Sequence, residues 1–184
     1  MRVITGTAKG TILKAPEGMA IRPTTDRVKE SVFAILGERI VNAKVLDLFS
    51  GTGNLGIESL SRGAQQVVFV DQSAVSLRLI KENLQRTRMT EKEHLVLRLN
   101  ISGGMERVMS FGGFDLIFCD PPYNKGLIDN VLGFIDKNIS ILEGEGLIIV
   151  EHSKHEQVGA YRHLETKRLE TYGETCISFI AGKN

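Results

Sequence analysis

Three segments with chemically useful side chains each follow an apolar run that predicts a strand. The first reads VLDLFSGTGNLG over 45–56 and enters a glycine-rich turn. The second is Asp71, twenty residues beyond Gly51. The third is DPPY at 120–123, directly after the apolar run 114–119. Because ligands of open α/β sheets bind at the carboxyl ends of strands, we expect these segments to build a ligand site.

The glycine-rich turn and Asp71 indicate a cofactor that contains adenosine. Gly51, Gly53 and Gly56 satisfy the pattern G-x-G-x-x-G. Such glycines let the backbone approach a ligand and present amide groups at a helix N-terminus. A carboxylate at the position of Asp71 can accept both hydroxyl protons of a ribose. These features fit NAD and S-adenosyl-L-methionine equally well, and the glycine pattern alone also fits a plain strand–helix turn.

Asp47 favours S-adenosyl-L-methionine over NAD. It lies inside an otherwise apolar strand, four residues before Gly51. A buried carboxylate is costly unless a cation or hydrogen-bond donors meet it. S-adenosyl-L-methionine carries an ammonium group and a sulfonium, whereas the pyrophosphate of NAD would be repelled. The alternative interpretation is that Asp47 caps the amides of its own turn.

The DPPY segment predicts a site for an aromatic amine. Two consecutive prolines remove two backbone donors and fix a rigid turn. The carboxylate of Asp120 and the carbonyl of Pro121 then form two adjacent acceptors, which suit an exocyclic NH2 group. Tyr123 offers an aromatic face on which a base can stack. Asp120, Pro121 and Tyr123 are therefore the candidate catalytic residues; the alternative is a strand that ends in a Pro-Pro turn, with Tyr123 in the core.

Strand and helix patterns alternate along most of the chain. The predicted strands lie at 44–49, 66–71, 94–99, 114–119 and 146–151, and the predicted helices begin at Thr24 and lie at 54–62, 73–87, about 102–110 and 127–141. Two further strands at 163–171 and 174–181 predict an antiparallel hairpin, and 2–5 with 11–14 predict another at the N-terminus. Repeated strand–helix units imply an α/β, doubly wound, Rossmann-like sheet. We expect it to be mostly parallel, with an antiparallel C-terminal strand and an N-terminal β-hairpin extension.

Length and charge fit one domain of 184 residues with a net charge of +1. We expect a single domain over 1–184, with a basic arm at 1–22 and a catalytic core at 23–184. The near-neutral charge excludes a wholly basic nucleic-acid coat. Two cysteines, no apolar run of membrane length and no signal-peptide core predict a cytoplasmic protein that does not contact membranes. No ligand spacing predicts a metal site.

Several blocks together resemble a known family. MRVITGTAKGTIL, RPTTDRVKESVF, DLFSGTGNLGIESLSRGA, DPPY and YGETCISF look like the bacterial 16S rRNA guanine-N2 methyltransferases of the RsmD family. The resemblance covers essentially the whole chain. RPTTDRVKE is its most specific block, since generic DNA adenine methyltransferases lack it. The resemblance implies methyl transfer from S-adenosyl-L-methionine to N2 of a guanine in a hairpin of small-subunit rRNA near the P site.

The resemblance and the charge pattern together assign the remaining site residues. The expected cofactor-binding residues are Asp47, Phe49, Ser50, Gly51, Gly53, Asp71 and Asn100. Asn100 stands where these enzymes usually carry an Asp for the adenine amino group, and its carbonyl oxygen can accept the same hydrogen bond. The expected RNA-binding residues on the basic arm and just after it are Arg2, Lys9, Lys14, Arg22 and Arg27.

The expected partner is 16S rRNA or the 30S subunit, including an assembly intermediate, and the expected state is a monomer. Two alternatives are a DNA adenine-N6 methyltransferase and a non-catalytic RNA-binding module of the same fold. A protein glutamine methyltransferase would carry Asn in place of Asp120. An NAD-dependent oxidoreductase would leave Asp47 and DPPY without a function.

Overall fold

The structure is a computed structural model that describes residues 1–16, 23–123 and 125–183, with the backbone alone at 23–25. Arg22, one of the predicted RNA-binding residues, lies outside the described residues. The chain divides into two compact units, one from Met1 to Arg98 and one from Leu99 onward.

The described part of the first unit contains three parallel strands and three α-helices, with a short 3-10 helix at Gly37–Ile40. The strands are β1 (Lys44–Leu48), β2 (Gln66–Asp71) and β3 (Glu93–Arg98), and the helices are α1 (Pro23–Leu36), α2 (Asn54–Ser61) and α3 (Ala74–Arg86). β2 lies between β1 and β3 and is parallel to both. The apolar residues of β1 and the four central residues of β2 are buried, as expected for parallel strands with both faces covered.

Among its described residues, the second unit has four strands and three α-helices, with a 3-10 helix at Ile139–Ile141. The strands are β4 (Phe114–Cys119), β5 (Leu142–Ser153), β6 (Leu164–Tyr172) and β7 (Thr175–Gly182), and the helices are α4 (Ile101–Gly104), α5 (Glu106–Met109) and α6 (Leu127–Lys137). β5 pairs with β4 in parallel, and β7 lies antiparallel between β5 and β6. Across the described ranges of the chain, every helix is too short or too polar to cross a bilayer.

The predicted fold class is confirmed: parallel strands alternate with helices, and the last strands are antiparallel. The helix predicted near 102–110 is instead two short helices, because Gly103 leaves helical geometry at φ −143°. Other element boundaries shift by a few residues. The division into units leaves the single domain over 1–184, with its arm at 1–22 and core at 23–184, as a prediction.

The N-terminal arm, defined here as residues 1–14, pairs its two segments in antiparallel fashion around a bridge between Arg2 and Ile12, with the Val3 amide donating to the Thr11 carbonyl at 3.0 Å and the Leu13 amide donating to the Met1 carbonyl at 3.1 Å. This pairing is shorter than the predicted strands at 2–5 and 11–14, because the next amides of the arm bond to α2. The amides of Ile4 and Thr5 donate to the Glu58 carboxylate at 2.7 and 3.0 Å. Gly6 lies so close to α2 that a Cβ there would stand 1.8 Å from the carbonyl oxygen of Ser61. The arm is therefore packed against the helix that follows the glycine turn.

Candidate active site

The glycine turn after β1 has a left-handed backbone at three positions. Phe49, Gly51 and Gly53 have φ of 58°, 55° and 78°. Glycine adopts this geometry without steric cost, whereas a residue such as Phe49 is strained there by about 1–3 kcal/mol. The surrounding hydrogen bonds must therefore hold Phe49 in place.

Ser50 supplies those hydrogen bonds. Its buried hydroxyl donates to the carbonyl oxygen of Asp47 at 2.6 Å and accepts from the amide of Val70 at 2.9 Å. The Ser50 amide also donates to the Val70 carbonyl at 3.1 Å. The side chain thus joins the carboxyl ends of β1 and β2, and it shapes the predicted cofactor site through the turn.

Gly56 is required for packing between α2 and β2. A Cβ at this position would stand 2.2 Å from Cε1 of Phe69. Gly53 has less severe restraints, since a Cβ there would stand 3.2 and 3.3 Å from side-chain carbons of Ile80 and Ile57. The three glycines therefore divide into turn-forming residues and one that lets the helix approach the sheet.

Asp47 is buried in β1 with 2% exposure. Its Oδ2 accepts the Gly56 amide at 3.0 Å, so it does cap the start of α2, as the alternative interpretation proposed. Burial raises its pKa from 3.8 to about 7, with a smaller upward effect from the charge of Asp71. The single hydrogen bond from the Gly56 amide does not offset the cost of burying the Asp47 charge. A cationic group of a bound ligand would offset that cost.

Asp71 ends β2 with both carboxylate oxygens oriented by backbone amides. Its Oδ2 accepts from Gly51 at 2.9 Å and its Oδ1 accepts from Ser73 at 2.8 Å. The residue is half-buried. Each carboxylate oxygen can accept more than one hydrogen bond, so the pair keeps the capacity to bind two ribose hydroxyls.

Asn100 begins α4 in the second unit. Its Oδ1 accepts the amide of Ser102 at 3.1 Å, which makes Asn100 the N-cap of that helix. The residue is exposed. An amide oxygen has two lone pairs, so the capping bond leaves one for an adenine amino group.

The DPPY segment follows β4 in the second unit. Asp120 is exposed and Pro121 is buried. Tyr123 is 37% exposed, so the alternative that it belongs to the core is wrong. Its hydroxyl donates to Oε1 of Glu151 at 2.8 Å and lies 3.3 Å from Oγ1 of Thr175. These partners fix the tip of the ring at the end of β5.

Glu151 is a site residue that the sequence reasoning missed. Burial raises its pKa above the ordinary range for Glu, and burial also raises the pKa of the Tyr123 phenol, which therefore stays neutral. The signal in the sequence was a carboxylate at the end of the apolar run 146–151.

The described RNA-binding candidates are all exposed: Arg2, Lys9, Lys14 and Arg27. Three of them, Arg2, Lys9 and Arg27, line one groove of about 490 Å³ beside the arm. Asp26 and Glu30 also line this groove, and Asp26 lies 3.6 Å from the Arg2 guanidinium. Lys14 instead pairs with Glu82 at 2.6 Å. The structure therefore brings together three of the five predicted residues.

A buried charged cluster connects α1, α2 and the arm. Glu58 is fully buried and accepts from Lys29 at 3.1 Å and from Arg62 at 2.8 Å. Glu58 and Arg62 are four residues apart, whereas Lys29 lies 29 residues before Glu58 along the chain. Burial lowers the pKa of Lys29, and the Glu58 charge opposes that effect.

Comparison with solved structures identifies the class. The structure titled "Putative methyltransferase yhhF from Escherichia coli" matches with a TM-score of 0.84 and 29% identity, covering 100% of this chain and 98% of that one. The fold and the side chains at the strand ends define a Rossmann-like methyltransferase. The cofactor predicted from the sequence, S-adenosyl-L-methionine, agrees with a neighbour of the same fold titled "Crystal structure of SMU.776, a putative methyltransferase complexed with SAH", which matches with a TM-score of 0.66 and 18% identity over 87% of this chain and 50% of that one.

Sequence comparison identifies the family. The family model described as "Conserved hypothetical protein 95" matches residues 1–181. A Bacillus subtilis protein named "Putative rRNA methyltransferase YlbH" is 40% identical over 97% of both chains. "Ribosomal RNA small subunit methyltransferase D" of Escherichia coli is 37% identical over 82% of this chain and 74% of its own. The chain belongs to this family, the RsmD family, as its sequence motifs predicted.

Proposed function

We propose that this protein is an rRNA methyltransferase that transfers a methyl group from S-adenosyl-L-methionine to N2 of a guanine in small-subunit (16S) rRNA. The target lies in a hairpin loop near the P site. The names of the Escherichia coli and Haemophilus influenzae relatives support the rRNA substrate. The observation that carries the amine chemistry is the DPPY corner, with Asp120 exposed and Tyr123 tied by its hydroxyl to Glu151.

The first unit supplies the proposed cofactor-binding residues other than Asn100, and their geometry fits the group. When bound, S-adenosyl-L-methionine supplies an electrophilic methyl group on a sulfonium. Asp71 binds the ribose hydroxyls, and buried Asp47 lies where a cationic ammonium would relieve its poorly compensated charge. Phe49, Ser50, Gly51 and Gly53 set the shape of the turn. Asn100 accepts the adenine amino group.

Asp120 and Pro121 orient the substrate amine. The lone pair of a guanine amino group is delocalised into the ring, which makes the nitrogen a weak nucleophile. The Asp120 carboxylate and the Pro121 carbonyl accept its two hydrogens and stabilise the positive charge that grows on nitrogen. One such preorganised group is typically worth about 2.7–4 kcal/mol. The sulfonium of bound S-adenosyl-L-methionine would supply the methyl group and keep the electron pair of the broken bond, and Asp120 or water would accept the proton that the methylated nitrogen loses.

Tyr123 holds the plane of the target base. Base–aromatic stacking contributes about 1–3 kcal/mol per base. The hydrogen bond from its hydroxyl to Glu151 restricts rotation of the ring. Because the ring is already ordered before the base binds, stacking costs less side-chain entropy. A neutral phenol also avoids a negative charge beside the substrate.

We expect cations of the arm, of α1 and of the segment of the sequence between them to bind the RNA backbone. Arg2, Lys9, Lys14, Arg22 and Arg27 are the proposed contacts, and the groove beside the arm supports the grouping of three of them. A base in a loop leaves its stack at a smaller cost than a paired base, which favours a hairpin loop. The proposed partner is 16S rRNA or the 30S subunit, including an assembly intermediate, and the protein acts in the cytoplasm as a monomer.

The substrate is tested by transfer of tritium from methyl-labelled S-adenosyl-L-methionine. Separate reactions contain 16S rRNA, 30S particles, DNA and a protein extract. We expect label in 16S rRNA or 30S particles, recovered as N2-methylguanosine after digestion. Label in DNA adenine would instead establish the DNA methyltransferase alternative. RNA binding without label in any reaction would establish the non-catalytic alternative.

The RNA contacts are tested with charge reversals at exposed positions, because Val3, Ala8 and Leu13 are buried and deletion of the arm would disturb the core. We expect K9E and R27E each to weaken 16S rRNA binding and to lower the dependence of log affinity on log salt by about 1, as for one phosphate contact. The matched control is K92E, an exposed lysine in the turn before β3. If K9E, R27E and K92E all lost the same 16S rRNA affinity, the arm and α1 would not form a specific contact surface.

A further inference from the structure

Two buried side chains, Lys29 and Asn83, link the two ends of the N-terminal arm to the residues on either side of Gly53 in the glycine turn. At the first end, the buried Lys29 ammonium donates to the carbonyl oxygen of Arg2 at 2.5 Å and to Oδ1 of Asn54 at 2.8 Å. Asn54 is the first residue of α2 and directly follows Gly53. Lys29 therefore links the start of the arm to the end of the turn.

Asn83 makes the second link, from α3. Its Oδ1 accepts the amide of Lys14 at 2.7 Å, and its Nδ2 donates to the carbonyl oxygens of Lys14 and Thr52 at 3.0 and 2.9 Å. Asn83 is fully buried. One side-chain amide thus holds the last residue of the arm and the residue before Gly53 at the same time.

The turn between these two links has little space to adjust independently. Gly53 is left-handed at φ 78°, and a Cβ there would stand 3.2–3.4 Å from side-chain carbons of Ile80, Ile57 and Phe69. Packed protein interiors transmit small shifts because they are nearly incompressible. A displacement of the arm therefore moves Thr52 and Asn54, and a rearrangement of the turn moves Arg2 and Lys14.

We propose that Lys29 and Asn83 are positioning residues that couple RNA binding at the arm to cofactor binding at the glycine turn. The inference rests on the proposed function, since it takes the arm to be the RNA contact. Each ligand orders the same hydrogen-bonded unit, so each raises the affinity for the other by the same factor. RNA at the arm thereby favours the turn geometry that binds the cofactor.

The first test uses the unmodified protein and S-adenosylhomocysteine alone. Hydrogen–deuterium exchange is followed in peptides from the turn, 51–56, and from the arm, 1–14. We expect the cofactor product to slow exchange in both, with the amides of Ile4, Thr5 and Lys14 among those protected. Protection confined to the turn would overturn the proposal, and this result does not depend on any RNA.

The second test measures the affinity for S-adenosylhomocysteine with and without saturating 16S rRNA transcript. We expect the RNA to tighten binding at least about fivefold in the unmodified protein, within the usual range of allosteric coupling. N83D removes both donated hydrogen bonds, and we expect the ratio of the two affinities to fall to below about twofold. A merely structural loss would weaken both affinities and leave their ratio unchanged, which would overturn the proposal.

The matched control is E82Q. Glu82 precedes Asn83 on α3 and pairs with the Lys14 side chain on the exposed face of the helix. E82Q should keep the full ratio of the S-adenosylhomocysteine affinities measured with and without RNA.

If N83D does not fold, K29M is tested in its place. K29M should fold because Glu58 keeps Arg62 and two backbone amides as partners. RNA that binds without any change in cofactor affinity contradicts the coupling, whereas RNA that fails to bind contradicts the proposed function.

Discussion

Replacement of Asp47 by Asn should stabilise the folded protein and weaken cofactor binding. The carboxylate is buried in β1, and its pKa of about 7 lies about three units above the ordinary value of 3.8. At about 1.4 kcal/mol per unit, ionisation of Asp47 in the folded state costs on the order of 4 kcal/mol. Asn cannot ionise, and its amide oxygen can still accept the Gly56 hydrogen bond.

The sign of the pH dependence follows from the raised pKa. Between pH 3.8 and about 7 the folded protein holds a proton at Asp47 that the unfolded chain has lost. Stability therefore falls as pH rises through this window, and the full cost is present above pH 7. The free energy of unfolding of D47N should exceed that of the unmodified protein by about 2 kcal/mol at pH 5 and about 4 kcal/mol at pH 8.

Urea unfolding at pH 5, 6, 7 and 8 measures this difference. The matched control is E91Q, which removes an exposed carboxylate in the turn before β3 and should show no such trend. A difference that stays constant across these pH values would refute the reasoning.

Isothermal titration at pH 8 should show D47N binding S-adenosyl-L-methionine about 10–100-fold more weakly, since a hydrogen bond to a charged group contributes about 1.5–3 kcal/mol. Equal affinity would mean that Asp47 does not face the ammonium.

Three further predictions follow from the site. D120A should lower kcat for RNA methylation by about 10²–10³ with unchanged affinity for S-adenosylhomocysteine, and near-normal turnover would remove Asp120 from the mechanism. G56A should lower the free energy of unfolding by about 1–3 kcal/mol, because its Cβ would overlap the Phe69 ring; a neutral result in urea unfolding would mean that the helix can shift freely. Y123F should raise KM for RNA more than it lowers kcat, because the ring keeps its stacking face but loses its bond to Glu151, and steady-state kinetics with no change in KM would contradict that positioning role.

The sequence predicted the parts of the fold that depend on local pattern. The apolar runs of β1, β2 and β4 are buried strands, and the spacing from Gly51 to Asp71 predicted a carboxylate at the end of β2. That carboxylate is bonded to the Gly51 amide. Such features were predictable because alternating strands and helices bring successive strand ends to one edge of a sheet.

The long-range polar contacts were not predictable. Asn83 is a polar residue in a helix with several charged residues, so its sequence context predicts a surface position. It is instead fully buried, and it is hydrogen-bonded to Lys14 and Thr52, which lie 69 and 31 residues earlier in the chain. The two arm segments pair as their pattern predicts, but nothing in that pattern indicates that the amides of Ile4 and Thr5 donate to the Glu58 carboxylate, 54 and 53 residues away. Hydrogen bonds between distant segments leave no periodic signal, so only the folded chain identifies them.

The central claim is that one guanine amino group of small-subunit rRNA is the methyl acceptor. The direct measurement is mass spectrometry of the nucleosides and fragments of 16S rRNA from cells that lack this protein. The same rRNA is analysed after the cells receive the unmodified protein or D120A. We predict that one N2-methylguanosine in a hairpin loop is lost, returns with the unmodified protein and stays absent with D120A. An unchanged set of N2-methylguanosines in the cells that lack the protein would contradict the account.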